Sequence, residues 1–206
     1  MRPSVVVLDY GSGNLRSAQR ALERAGADVE VTPDADRAVG AAGLVLPGVG
    51  AFAACREGLR RAGGDEVVAE RIAQGRRVLG ICVGMQVLFE TGEEHGTTTE
   101  GLGVLPGRVQ RLAAPILPHM GWNTVAAPAD SRLFAETDDE TRYYFVHSYA
   151  VAPGPQLQAA GRVTTARHGA DFVAAVETET VSATQFHPEK SGAAGTALLS
   201  KWLETL

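Results

Sequence analysis

The sequence lacks any apolar run approaching the ~18 residues that cross a bilayer. Its first apolar run, Val5–Leu8, stops at Asp9 and is too short for the core of a signal peptide. The expected location is therefore cytoplasmic. Cysteine is scarce. Cys55 and Cys82 are the only two, too few for a disulfide framework or a four-cysteine zinc site. There is no basic excess either: 19 Lys and Arg against 24 Asp and Glu leave a net charge of −5, which argues against nucleic-acid binding. The pairs Arg60-Arg61 and Arg76-Arg77 read as solvated helix ends. No internal repeat or low-complexity linker divides the chain, so residues 1–206 are expected to form one domain. What is present is a 206-residue chain that is 45% apolar, enough to bury a core without metal or disulfide help.

The order of patterns points to an α/β fold. Val5–Leu8 is a continuous, β-branched apolar run of the kind buried on both faces of a parallel sheet, and Val29–Val31, Leu44–Leu46 and Val78–Ile81 read as further strands. Between them, Leu15, Ala18, Ala21, Leu22 and Ala25 recur at helical spacing, and Gly26 ends that helix. Arg56–Arg61, Glu66–Gln74 and about Gly84–Glu90 also read as helices. Such alternation predicts βαβ units and a three-layer α/β/α architecture with a mainly parallel sheet. After Gly92 a polar, turn-rich stretch to Gly103 reads as a loop. Beyond it Val104–Leu112, Tyr143–Val151, Arg162–Ala166 and Phe172–Glu177 suggest a mixed β extension of the same sheet. A final helix is expected from about Gly195 to Leu203.

Gly80-Ile81-Cys82-Val83-Gly84 lies between a strand and a helix, the form of a nucleophile elbow with cysteine in the serine position. Flanking glycines permit the sharp turn that lifts the side chain above the carboxyl edge of the sheet, where open α/β sheets bind ligands. A helix N-terminus there favours thiolate, and the Val83 N–H is a candidate oxyanion donor. A cysteine packed between two glycines fits the same residues. Cys55, inside a helical pattern, reads as core. Of the five histidines, His187 precedes Pro188, which keeps it out of a helix. In an extended chain Glu189 then shares its face and can orient the imidazole. An exposed His-Glu turn is the competing reading. His147 sits in a strand pattern with no carboxylate at i±2 and reads as structural. His119 is assigned to a loop or a partner surface, and His95 and His168 to the surface. No grouping has metal-ligand spacing. In Gly11-Ser12-Gly13, Arg16 occupies the third glycine position of a dinucleotide fingerprint, so no nucleotide cofactor is expected. Pro47-Gly48-Val49-Gly50 follows a strand, and its glycines allow a peptide flip that turns an oxyanion donor on and off.

Taken together, Gly80-Ile81-Cys82-Val83-Gly84-Met85-Gln86 and His187-Pro188-Glu189 resemble the class I glutamine amidotransferases. More narrowly, four stretches are similar to the glutaminase subunits of imidazole glycerol phosphate synthases within that class. They are Asp9–Leu15, Pro47–Phe52, His119-Met120-Gly121-Trp122-Asn123, and His187–Ser191. The resemblance runs from residue 5 to the last helix and implies the flavodoxin-like amidotransferase fold. It implies a Cys82, His187, Glu189 triad that hydrolyses glutamine through a thioester. It also implies that Gln86, Gly50, Val83, Ser148 and Tyr149 contact the substrate. Ammonia would pass to a cyclase subunit, forming a heterodimer, in histidine biosynthesis. Asn14, Trp122, Tyr144 and Lys190 would face that partner, and no cofactor is implied. Val83 stands where the family favours leucine, and the stretch 126–142 carries no motif. An amidotransferase subunit for another acceptor, such as one in pyridoxal phosphate synthesis, a thiol hydrolase of similar architecture and a non-catalytic module are the alternatives.

Overall fold

The computed structural model describes residues 1–206. In chain order the first half comprises β1 (Ser4–Leu8), α1 (Leu15–Ala25), β2 (Asp28–Thr32), α2 (Ala35–Gly40), β3 (Gly43–Gly48), α3 (Phe52–Arg61), α4 (Gly64–Ala73), β4 (Arg77–Cys82) and α5 (Val83–Gln86). Then follow β5 (Phe89–Glu94), β6 (Thr97–Glu100), β7 (Leu105–Arg111), β8 (His119–Thr124), β9 (Arg142–His147), β10 (Tyr149–Val151) and α6 (Pro155–Ala160). The chain ends with β11 (Arg162–His168), β12 (Ala170–Glu177), β13 (Val181–Thr184) and α7 (Gly192–Leu203).

The central sheet has the order β11-β12-β13-β4-β3-β1-β2. From β13 to β2 every pairing is parallel; β11 and β12 add an antiparallel edge. Helix α1 packs with α7, while α2 and α3 pack against α4, giving helical layers over the sheet. Val5–Leu8, Leu44–Leu46 and Val78–Ile81 are all buried, as strands covered on both faces require. Ser4–Leu8 begins the sheet, and α1 ends at Gly26 in the left-handed conformation, where glycine carries no Cβ penalty. Buried Arg71 ties α4 to the sheet by donating to the carbonyls of Ala38, Val39, Ala41, Ala42 and Arg77. No helix is long and apolar enough to cross a membrane. The architecture is a three-layer, flavodoxin-like α/β fold.

The structure departs from expectation in several places. The helix expected to Glu90 is a single turn, Val83–Gln86, and Phe89–Glu94 is a strand. Phe89 is fully buried and Glu90 exposed, so β-type burial overrides the helical spacing. The expected loop to Gly103 contains the β5–β6 hairpin, turned at His95-Gly96, both at positive φ. The β extension is not one continuation of the central sheet. β5, β6, β7 and β10 form a second sheet, β8 and β9 a two-stranded ribbon, and only β11 and β12 join the main one. The run Tyr143–Val151 breaks at Ser148, sending β9 and β10 to different partners. α2 and α6 are short helices that lie outside the helical patterns read from the sequence.

Candidate active site

Three adjacent parallel strands deliver the chemistry. Gly48 at the end of β3 is paired with Cys82 at the end of β4, and Thr184 of β13 with Ile81. The loop after β3, the elbow after β4 and the His-Pro-Glu segment after β13 therefore leave the sheet side by side at its carboxyl edge.

Cys82 is held at φ 56° and ψ −114°, a strained conformation for a non-glycine residue that costs about 1–3 kcal/mol. The glycines around it make that possible by close approach. A Cβ on Gly84 would lie 1.8 Å from the Leu46 carbonyl oxygen, and one on Gly48 2.4 Å from the Gly84 nitrogen. The turn is thus pressed directly against the β3 backbone. Because α5 is only one turn long, it brings a small dipole, and what it contributes locally is the Val83 N–H beside the sulfur.

His187 and Glu189 meet, although Pro188–Lys190 forms a turn of 3-10 helix rather than the extended chain expected. His187 Nδ1 lies 2.7 Å from Glu189 Oε1, with side-chain exposures of 3% and 4%. The segment is pinned to β9. The His187 N–H donates to the Tyr144 carbonyl at 2.9 Å, and Ser191 Oγ donates to the His187 carbonyl at 2.6 Å. Burial opposes the imidazolium, but hydrogen bonds and charge from Cys82 and Glu189 outweigh it and push the His187 pKa up to about 9.

Cys82, Val83, Gln86, Gly50, Ser148 and Tyr149 line one cavity of about 220 Å³ together with His187. Drug-sized sites run to ~300–1,000 Å³, so this one suits a small molecule. A larger groove of about 500 Å³ along β2 and α2 has no comparable convergence. Its Glu30 and Arg37 already pair with each other.

Within the cavity the Gln86 amide donates to the Tyr149 carbonyl at 3.0 Å and to Gln185 Oε1 at 2.9 Å. Gln185 Nε2 in turn approaches Cys82 Sγ at 3.8 Å. The sequence reading missed Gln185, which follows the end of β13 at Thr184 and lies two residues before His187. In the Pro47–Gly50 loop, the Val49 N–H donates to Ser12 Oγ at 3.2 Å, and the Val49 carbonyl accepts from Ser12 Oγ and Cys55 Sγ, each at 3.1 Å. In this loop state the Val49 N–H is taken by Ser12. Cys55 is buried as expected, and burial raises its thiol pKa.

Three of the residues assigned to a partner surface are neighbours. Trp122, 53% exposed, meets Tyr144 edge to face at 5.9 Å, and Lys190 Nζ stands 6.0 Å from the same ring. Asn14 lies elsewhere on the rim, lining a small crevice with Pro47, His187 and Glu189; its side chain also caps α1. The structure corrects two histidine assignments. His119 is not in a loop but buried on β8, and His168 is not free at the surface but stacks on it at 4.3 Å. His147, read as structural, is buried and lines the cavity as well.

The family profile described as "Glutamine amidotransferase class-I" matches residues 6–205. The chain belongs to the class-I glutamine amidotransferase family. It is 61% identical over 209 residues to "Imidazole glycerol phosphate synthase subunit HisH" of Nocardia farcinica, covering 100% of this chain and 99% of the relative. The protein of the same description from Mycobacterium tuberculosis is 60% identical over 203 residues, covering 98% of each. Among solved structures, one described as "Crystal structure of glutamine amidotransferase" superposes with a TM-score of 0.76 at 23% identity, covering 98% of this chain and 97% of that one. PurLQS from Thermotoga maritima gives 0.72 at 20% identity, with 99% of each chain covered. At those identities the structural likenesses speak to the fold of the amidotransferase domain alone.

Proposed function

We propose that this amidotransferase is the glutaminase subunit of an imidazole glycerol phosphate synthase, with Cys82, His187 and Glu189 as its catalytic triad. The His187–Glu189 contact at 2.7 Å, in one cavity with a strained Cys82, is the observation that carries the chemistry. The 61% identity over the whole chain supports the choice of acceptor system. Residues 1–206 act as one domain in the cytoplasm.

Cys82 passes its thiol proton to His187 Nε2 and Sγ attacks the side-chain amide carbon of glutamine, while the Val83 N–H stabilises the oxyanion. The carbon–nitrogen bond breaks as His187 gives its Nε2 proton to the departing ammonia. Water then attacks the glutamyl thioester, His187 takes its proton, and the carbon–sulfur bond breaks to release glutamate and the thiol. Glu189 orients His187 and stabilises its imidazolium through Nδ1. Gln86, Gly50, Ser148 and Tyr149 hold the amino-acid end of the substrate. Ammonia passes to a cyclase partner docked over Asn14, Trp122, Tyr144 and Lys190, kept from water that would turn it into unreactive ammonium. A partner that binds the alternative state of the Pro47–Gly50 loop more tightly releases the Val49 N–H from Ser12 and completes the oxyanion hole.

The test is glutamate release by the chain alone and with a cyclase subunit plus its nucleotide. Low activity alone and a large rise in the complex support the proposal, and Cys82→Ala abolishes that rise while added ammonia still drives the cyclase. Full activity alone removes the partner switch. No activity in either state removes the acceptor assignment.

A further inference from the structure

Buried His119 and His147 and half-buried Asn123 form a hydrogen-bonded chain that the glutaminase mechanism does not use. Its polarity is fixed by one carbonyl. His147 Nδ1 lies 3.0 Å from the Tyr149 carbonyl oxygen and must donate to it, because a carbonyl only accepts. In the neutral ring His147 Nε2 is then bare, and it accepts from His119 Nδ1 at 2.9 Å. His119 Nε2 is bare in turn and accepts from Asn123 Nδ2 at 3.2 Å. The Asn123 amide cannot be reversed without loss. The same Nδ2 donates to the Arg167 carbonyl at 3.0 Å, and Oδ1 accepts from the Thr124 N–H at 2.9 Å. The groups around the two rings are Phe145, Phe172, His168 and, towards the triad, His187. No carboxylate pairs with either ring. Burial, with the neighbouring histidines, lowers the pKa of His147 to about 3 and of His119 to about 4, which keeps both neutral as the chain requires.

The carbonyl at its end also accepts from the Gln86 amide at 3.0 Å. We infer that His147 and His119 are positioning residues of the substrate pocket, holding the Ser148-Tyr149 backbone and, through its carbonyl, the amide of Gln86. The chain starts on β8, beside exposed Trp122, and ends in the cavity wall. This rests on the reading that the cavity takes glutamine. His187 is held by the Tyr144 carbonyl, three residues from His147 on β9, and Cys82 by β4, with Gln185 only 3.8 Å from the sulfur, so the effect falls on substrate binding rather than on the chemical step.

The experiment compares His119→Phe with His119→Asn in the complex with the cyclase subunit. Phenylalanine keeps the aromatic stack and leaves His147 Nε2 without its donor, whereas an asparagine amide reaches the Nδ1 position. His119→Phe is expected to raise the KM for glutamine about tenfold, the size of one lost buried hydrogen bond, and to change kcat by less than about threefold. His119→Asn is expected to restore most of the KM. Nitrogen NMR of the wild-type chain at pH 6 is expected to show both rings neutral and protonated at Nδ1, a result that needs no turnover. An unchanged KM in His119→Phe, an equal defect in both variants, or a proton on Nε2 of either ring overturns the inference while glutaminase activity stands. A wild-type complex that turns over no glutamine overturns the functional proposal and this inference together.

Discussion

Replacing Glu189 with glutamine isolates what the carboxylate does for His187. The substitution keeps shape and leaves an amide oxygen 2.7 Å from Nδ1, where Glu189 Oε1 now accepts. The second oxygen, Oε2, is buried and has no hydrogen-bond partner, so an amide nitrogen in its place gains none. The change is therefore close to a pure loss of charge. A hydrogen bond to a charged group contributes about 1.5–3 kcal/mol and a neutral one about 0.5–1.5, so the imidazolium loses about 1–2 kcal/mol. At 1.36 kcal/mol per pKa unit that is about one unit, taking His187 from about 9 to about 8. The imidazolium is the acid that protonates departing ammonia, so activity falls as pH rises through this pKa. Glutamate release by the partnered enzyme, measured from pH 6 to 10, is expected to decline above about pH 9 in the wild type and about one unit lower in Glu189→Gln. At pH 7.5 the variant should lose about 5–30-fold in kcat/KM. An alkaline limb that does not move, or full activity at neutral pH, refutes the role given to Glu189.

Other outcomes follow from the same geometry. Gly84→Ala forces a Cβ to within 1.8 Å of the Leu46 carbonyl oxygen, a backbone clash worth about 3 kcal/mol or more. It should lower Tm by about 6–12 °C, whereas Gly154→Ala, with nothing within 4 Å of its Cβ, should leave Tm nearly unchanged; equal Tm values contradict the packing argument. Trp122→Ala removes an exposed aromatic from the Tyr144–Lys190 cluster and should weaken binding of the cyclase subunit by about 30-fold or more, with no change in the chain's own thermal stability; an affinity within threefold of wild type removes Trp122 from the interface. The folded pKa of His187 lies above its unfolded value of about 6.5, so the stability it contributes is full below that pH and is lost as pH rises through about 9. His147 and His119 have the opposite sign: their contribution is full above about pH 6.5 and is lost as pH falls towards about 4 and then about 3. Tm differences between wild type and His187→Gln, and between wild type and His119→Asn, measured across pH, check both directions.

The elbow was legible because its demands are local. Only glycine tolerates the backbone approach at positions 80 and 84, and a cysteine between them on a strand-to-helix turn has few other uses. His187 and Glu189 were legible as a pair because proline keeps His187 out of a helix, although a 3-10 turn over Pro188–Lys190, and not an extended chain, closes the contact. Parallel strands β1, β3 and β4 announced themselves as unbroken apolar runs. The second half was harder to read because long-range pairing overrides local pattern there. His119 joins His147 only once β8 and β9 pair in antiparallel register, and nothing within five residues of either signals the other. Likewise Ser12 and Cys55 meet Val49 across three separate loops and helices, and Glu90, at the apparent end of a helix, belongs to a strand whose partners are β6 and β7. Partner-facing residues carry the least internal signal of all, because their packing is completed by another chain.

The central claim is that glutamine is opened by covalent attack of Cys82. Its most direct test is acid-quench mass spectrometry of the partnered chain during turnover. The account predicts one glutamyl group on the Cys82 peptide, absent in Cys82→Ala. Glutamate release with no adduct, together with an active Cys82→Ala variant, contradicts it.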